Sequence, residues 1–179
     1  MNGAFTVNAF TWLFLAALAA SSATRLWLAA RQARHVRAHR DAVPASFAGT
    51  IPLAAHQKAA DYTVAKTRLG IADLALSAAL LLVFTLGGAL QWLSDAWARV
   101  APPFGIAHGV ALIVTAVMLL SLAELPLALV RTFVVEARFG FNRITPRLYA
   151  IDLAKQALIS ALLGIPLLAL VLWLMARMG

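Results

Sequence analysis

Two histidines four residues apart, His35 and His39, are the first candidates for chemistry in this sequence. A zinc protease uses this spacing to present two ligands on one helical face, with a glutamate directly after the first histidine. Here Val36 follows His35, and arginines flank the pair, so a metal ion would meet a cationic field. The sequence contains no HExxH, P-loop or nucleophile-elbow motif. We therefore predict no catalytic residue, no metal ligand and no cofactor-binding residue in this chain.

Glu124 is the only acidic residue deep within an apolar stretch of the sequence. Carboxylates inside a membrane span usually mark a functional site, because a charge in lipid is costly. Glu124 nevertheless lies near the end of its stretch, where water hydrates a charge cheaply, and Pro126 follows two residues later. The sequence therefore leaves two interpretations of Glu124 open. It is either a functional carboxylate or a carboxylate that is only hydrated near the end of the span.

The composition shows whether the chain belongs to a soluble protein or to a membrane protein. Of the 179 residues, 63% are hydrophobic and only 12% are charged, whereas a soluble domain is roughly half apolar and about one quarter charged. These values exclude a soluble globular enzyme and a disordered chain. The absence of cysteine excludes disulfides, thiol nucleophiles and cysteine metal sites.

Four stretches are long and apolar enough to cross a bilayer core about 30 Å thick. No basic residue precedes the first of them, so we interpret it as a retained helix and not as a cleaved signal. We predict an all-α polytopic membrane helix bundle with about four transmembrane helices. The predicted spans are residues 5–30, 71–93, 104–130 and 156–175. The first is expected to continue as a helix to about His39. Small residues let membrane helices approach closely, so Gly87-Gly88 in the second span and Gly105-x-x-x-Gly109 at the start of the third predict helix packing.

The basic residues are distributed unevenly between the connections. Thirteen of the 15 lysines and arginines lie in residues 25–68 and 131–155. The positive-inside rule then predicts cytoplasmic segments at 31–70 and 131–155, with both termini non-cytoplasmic. The net charge of +8 is thus a topology signal, and we predict lipid-headgroup contact and no nucleic-acid partner. Abundant alanine and arginine favour a bacterial inner membrane as the location.

The segment before the second span has the pattern of a helix. Pro52 fits the first turn, where a missing N–H removes no hydrogen bond, and apolar residues recur at three-to-four spacing up to Leu69. We predict a cytoplasmic helical extension continuous with the second span. It would be either an amphipathic support or the border of a cytoplasm-facing cavity.

The connection between the third and fourth spans carries the most specific signals. The third span is expected to continue past Pro126 to about Arg138. Gly140 fits a helix C-cap, and Thr145 followed by Pro146 fits a helix start. Two phenylalanines, both expected to be exposed, would lie at the membrane edge. They indicate either an aromatic interface anchor or a loop that packs on a partner domain or lines a substrate entrance.

This connection also resembles a known family. Residues 132–145, with a Glu-x-x-Phe-Gly-Phe-Asn-x-x-Thr pattern, resemble the N-terminal membrane region of CAAX prenyl endopeptidases, which are integral-membrane zinc metalloproteases. Residues 57–66 resemble the segment before that family's second span. Asp152, Lys155, Gly164, Pro166 and Trp173 match its following helix.

The resemblance implies helices that enclose an intramembrane chamber, whose wall and substrate path serve proteolysis of peptides, prenylated or not. Zinc would be held in the full-length relative by an HExxH pair and a later glutamate, all C-terminal to the matched region. Residues 1–179 would then be an N-terminal transmembrane domain whose partners are the lipid bilayer, a C-terminal metallopeptidase domain and a peptide substrate.

The same resemblance implies a set of residues near the substrate path or the catalytic domain. These motif residues are Glu136, Phe139, Gly140, Phe141, Asn142 and Thr145. Alone, the chain is expected to be inactive. The alternative is a small non-catalytic membrane protein that acts as a helper subunit or transporter fragment.

Overall fold

The computed structural model describes residues 8–178, and these residues form helices and connections without a strand. The all-α class is therefore confirmed. The helices are α1 (Ala9–Ala38), α2 (Leu53–Thr85), α3 (Ala89–Trp97), α4 (Ile106–Val130) and α5 (Pro146–Met178). A 3-10 turn (Ala45–Phe47) precedes α2, and a π-helical turn (Arg131–Glu136) extends α4.

Four of the helical segments are long and apolar enough to cross a membrane, as predicted. Each has between 30 and 33 residues and, at about 1.5 Å per residue, a length of about 45–50 Å. Their large apolar side chains point outward: Trp12 is 65% exposed and Leu162 70% exposed. Apolar side chains on the outer surface are stable only in lipid, so the protein is an integral membrane protein. The predicted residues 5–7 of the first span lie outside the described part.

The chain divides into two compact units, Met1–Ala79 and Leu80–Gly179. In the first unit, α1 ends at Ala38, as the predicted extension to about His39 requires. Helix α2 begins directly after Pro52 and runs without interruption into the apolar region. The predicted helical extension, continuous with the second span, is confirmed.

A polar cluster joins the end of α1 to the start of α2. The guanidinium of Arg40 donates from Nε and Nη2 to the two carboxylate oxygens of Asp61, at 2.8 and 2.9 Å. Its Nη1 donates to Asp41, which also accepts from the side-chain amide of Gln57. The Nε2 of His56 lies 2.9 Å from the backbone carbonyl of His39. We call these contacts the Arg40 clamp, and they fix how the chain turns between the helices.

Replacing Arg40 with lysine tests the clamp. Arg40→Lys keeps the charge but lacks the planar fork that binds both oxygens of Asp61. The pair is exposed, so we expect a local effect: proteinase K should cut within residues 41–52 a few-fold faster. Arg37→Lys, one turn earlier and exposed, should leave the rate unchanged. Equal rates for the two variants would show that the clamp does not hold the connection.

Alkaline pH should not reproduce this effect. The hydrogen bonds that Arg40 donates to Asp61, together with its bond to Asp41, raise the pKa of Arg40 further above its already high usual value. A raised folded-state pKa means that the stabilisation is complete below the unfolded-state pKa and is lost only as the pH rises through the folded one. Arginine therefore stays charged throughout the practical range.

The second unit contains the end of α2, where the predicted second span proves too long. That span was predicted to reach residue 93, but α2 ends at Thr85 and a separate helix, α3, begins at Ala89. Gly88 adopts a left-handed backbone with φ 76°, and a Cβ on Gly87 would lie 2.7 Å from the carbonyl oxygen of Val83. The glycine pair thus lets the chain leave the helix and turn sharply. The sequence had indicated only close helix packing for these glycines.

Helix α3 packs along the first half of α4. Leu93 is 4% exposed, the lowest exposure among the apolar residues of the described core. On α4, the buried His108 places its Nε2 3.0 Å from the carbonyl oxygen of Ser94. The indole N–H of Trp97 donates to the hydroxyl of Thr115 at 3.1 Å. One apolar contact and two hydrogen bonds therefore fix α3 on α4.

Helices α4 and α5 approach each other closely at a glycine. A Cβ on Gly109 would lie 2.9 Å from a methyl group of Leu172, so only a hydrogen fits there without movement. The sequence predicted this role for the small residues that open the third span. Helix α5 continues through Pro166 to Met178.

Candidate functional site

A π-helical turn forms the first part of the candidate site. Helix α4 passes Pro126 in regular form, becomes π-helical over Arg131–Glu136 and continues as α-helix to Arg138. The extension of the third span to about Arg138 is thus confirmed. A π-turn inserts one extra residue into the hydrogen-bond ladder and is frequent at functional sites. The sequence showed no sign of it.

Gly140 ends the helix in a Schellman motif. Its φ is 74°, and its N–H donates to the carbonyl of Ala137 at 3.0 Å. The N–H groups of Phe141 and Asn142 both donate to the carbonyl of Glu136, at 2.9 and 3.2 Å. The left-handed glycine, its bond to Ala137 and the bond from Phe141 to Glu136 are the defining features of the motif. The predicted glycine C-cap is confirmed.

The last two motif residues turn the chain into α5. The side-chain oxygen of Asn142 accepts from the N–H of Ile144 at 2.7 Å, which closes an Asx turn. The hydroxyl of Thr145 accepts from the N–H of Leu148 at 3.3 Å. Thr145 therefore caps α5, and Pro146 occupies its first position, as predicted. The motif is a continuous series of backbone-directed hydrogen bonds.

The two phenylalanines of the motif have different environments. Phe139 is only 8% exposed, so its expected exposure was wrong, whereas Phe141 is 55% exposed. The guanidinium carbon of Arg138 lies 5.8 Å from the centroid of the Phe139 ring. At the other end of the connection, the rings of Phe133 and Tyr149 meet edge to face at 5.5 Å. One phenylalanine thus helps to anchor the turn, and the other is presented outward.

The two glutamates of this region, Glu124 and Glu136, lie in different places. Glu136 is half-buried, and its backbone carbonyl accepts the two bonds that stabilise the turn. Glu124 is exposed on α4, three helical turns away. The motif therefore brings Glu136, Phe139, Gly140, Phe141, Asn142 and Thr145 into one turn, and Glu124 lies outside it.

The described residues do not fit a zinc site. Within residues 8–178, no group of three or more histidine, cysteine, aspartate or glutamate residues could hold a metal ion. The rings of His35 and His39 lie 4.3 Å apart between centroids. The Nδ1 of His39 is 2.9 Å from the carbonyl oxygen of His35, on its own helix.

Comparison with known proteins supports this description. The four membrane-length helices and the capped connection define a polytopic helical membrane domain. The family described as CAAX prenyl protease N-terminal, five membrane helices, matches residues 32–179. The chain belongs to this family.

Relatives in plants and a solved structure are also similar. A CAAX prenyl protease 1 homolog from Arabidopsis thaliana is 29% identical over 98 residues, which are 51% of this chain and 23% of that protein. Its counterpart from Oryza sativa subsp. japonica is 35% identical over 74 residues, 41% of this chain and 17% of that protein. The crystal structure of S. mikatae Ste24p has a similar fold, with a TM-score of 0.77 at 22% identity, over 86% of this chain and 36% of that chain. The chain thus spans less than a quarter of the plant relatives.

Proposed function

We propose that residues 1–179 form the N-terminal transmembrane domain of a zinc metalloendopeptidase, whose helices shape an intramembrane chamber and guide a peptide substrate. The observation that carries this proposal is the motif turn at the end of α4. It is fixed by backbone hydrogen bonds, and it presents Phe141 outward at the edge of the membrane-length helices. A rigid turn with an exposed aromatic ring is suited to contact a neighbouring domain or an extended peptide.

The proposal assigns the chemistry of hydrolysis to a C-terminal metallopeptidase domain. That domain would hold the zinc ion, since the described residues of this chain have no suitable ligand set. Zinc would supply an activated water molecule for amide cleavage there. The motif residues Glu136, Phe139, Gly140, Phe141, Asn142 and Thr145 would act beside that site, by positioning and not by catalysis.

Photo-crosslinking from Phe141 tests the role of the turn. The reading frame beyond Gly179 is first determined, and the whole product is expressed with p-benzoylphenylalanine in place of Phe141. We expect crosslinks to the metallopeptidase domain or to an added prenylated peptide. The matched control carries the same photo-reactive residue at Phe104, which is fully exposed before α4, at its other end. Crosslinks to lipid alone from residue 141 would indicate an aromatic interface anchor.

The reading frame itself distinguishes the two candidate functions. An HExxH motif with a later glutamate downstream would support the protease domain. A stop codon directly after Gly179 would favour the helper subunit or transporter fragment. Purified 1–179 should bind no zinc and cleave no peptide, and stoichiometric zinc with turnover would contradict the proposal.

We also propose that residues 31–70 and 131–155 face the cytoplasm of a bacterium, with both termini outside its inner membrane. The distribution of basic residues supports this topology. The chain lacks cysteine, so single introduced cysteines can be labelled without background. In intact cells, a membrane-impermeant maleimide should label Val100→Cys and not Phe47→Cys. Both side chains are more than half exposed, and the reverse labelling pattern would invert the topology.

A further inference from the structure

The first unit contains a groove of about 390 Å³ between α1 and α2 that the proposed function does not use. Its walls carry one basic, one acidic and several neutral polar side chains, together with apolar ones. The polar lining residues are Arg25, Gln32, Thr67, Asp73 and Ser77. The apolar lining includes Leu28 and Leu74. Its volume falls within the range of ligand pockets, about 300–1,000 Å³.

The positions of Arg25 and Asp73 along their helices show how deep in the membrane the charged part of the groove lies. Arg25 lies sixteen residues after the start of α1, or about 24 Å along the helix axis. Asp73 lies twelve residues before the end of α2, or about 18 Å. Both distances are shorter than a hydrocarbon core of about 30 Å. Measured from those helix ends, Arg25 and Asp73 therefore lie inside the membrane-spanning part of α1 and α2, about 6 and 12 Å from the core boundary on the side of the α1–α2 connection. The polar lining of the groove would let a lipid headgroup reach this depth.

Gly70 leaves the wall of the groove open. A Cβ at this position would meet no atom within 4 Å, and Gly70 lines the groove directly. An alanine would favour the helix by about 1 kcal/mol, so local helix stability does not explain a glycine here. The absence of a side chain at Gly70 keeps this part of the groove accessible.

We propose that the groove binds the headgroup of an amine-bearing zwitterionic phospholipid such as phosphatidylethanolamine. The phosphate would accept hydrogen bonds from the guanidinium of Arg25, which recognises phosphate with a planar fork of donors. The ammonium would donate to Asp73, whose two oxygens can accept from several donors at once. Leu28 and Leu74 would contact the upper acyl chains. Asp73 also disfavours lipids of net negative charge, which the exposed arginines at the end of α1 would attract without selectivity.

Lipid binding by the purified chain tests this inference. Native mass spectrometry of delipidated 1–179 in detergent would compare phosphatidylethanolamine, phosphatidylcholine and phosphatidylglycerol with identical acyl chains. The choline ammonium has no N–H donor, so we expect phosphatidylcholine to bind roughly tenfold more weakly, the effect of one lost charge-assisted hydrogen bond. Arg25→Ala should weaken the binding of all three lipids, because they share the phosphate. Asp73→Asn should remove the preference for phosphatidylethanolamine.

A matched pair of glycine variants tests whether the lipid occupies the space of the groove, in addition to its contacts with charged residues. Gly70→Trp would fill the groove and should abolish selective binding. Gly164→Trp adds the same side chain on α5, where a Cβ also meets nothing within 4 Å, and should leave binding unchanged. Circular dichroism and gel filtration confirm that each variant is folded. Equal binding of all three lipids, or a phosphatidylglycerol preference that survives Gly70→Trp, would overturn the proposal.

Discussion

Gly140→Ala is expected to open the turn between α4 and α5. Its left-handed backbone is unfavourable for a residue with a Cβ by roughly 1–2 kcal/mol. The two amides held by the carbonyl of Glu136, those of Phe141 and Asn142, should then exchange with solvent roughly 5–30 times faster. Hydrogen exchange measured by mass spectrometry on the purified chain reports this directly. In the proposed protease, the same change should lower peptide cleavage, because Phe141 would no longer be held in place.

Gly88→Ala provides the matched control for backbone strain. Gly88 has nearly the same backbone conformation, φ 76°, but lies outside the motif, before α3. It should lower stability comparably while leaving the exchange of Phe141 and Asn142 unchanged. Gly140→Asn should be milder than Gly140→Ala, since asparagine tolerates the left-handed region. If both alanine variants accelerated exchange at Phe141 equally, the effect would be global and the turn would not be an independent unit.

Leu93→Ala should cause the largest loss of stability among the substitutions considered. Leu93 is 4% exposed where α3 packs on α4. Truncating a buried leucine leaves a cavity, and the loss is typically about 2–5 kcal/mol. We expect about 2–3 kcal/mol here, because lipid or detergent is as apolar as the protein interior and only the packing is lost. Thermal unfolding in detergent, followed by tryptophan fluorescence, should show the shift.

Leu90→Ala is the corresponding control on the same helix. Leu90 is 41% exposed, and its truncation should change stability by less than about 0.5 kcal/mol. The hydrogen bond between Trp97 and Thr115 should persist in this variant and weaken in Leu93→Ala. If Leu93→Ala lowered stability as little as Leu90→Ala, the polar contacts alone would hold α3 on α4.

The sequence was sufficient wherever the signal is local. Apolar length gives the spans, because a helix must satisfy its own backbone in lipid. The ends of helices are also local: Gly140 and Thr145–Pro146 act through bonds to residues within five positions. Four membrane-length helices and both caps were therefore predicted correctly, and the most specific part of the family resemblance lies in the same connection.

The predictions failed where a residue has a different environment from its sequence neighbours. Phe139 and Phe141 are of the same type and two residues apart, yet one is buried and the other is exposed. Gly87 and Gly88 indicated close packing, and the structure uses them to end α2. In a long helix that is apolar on all sides, hydrophobic periodicity does not show which face meets protein and which meets lipid.

By itself, then, the sequence determined that this protein spans a membrane as helices, where most of them end and to which family its motif belongs. Only the tertiary structure decided that α3 folds back on α4 through Leu93 and His108, that α4 contains a π-turn, and that Arg25 and Asp73 line one groove. The physical reason is range. Solvent preference and helix capping are set by residues within a turn or two, whereas burial, grooves and polar pairs depend on residues that are brought together by the packing of separate helices.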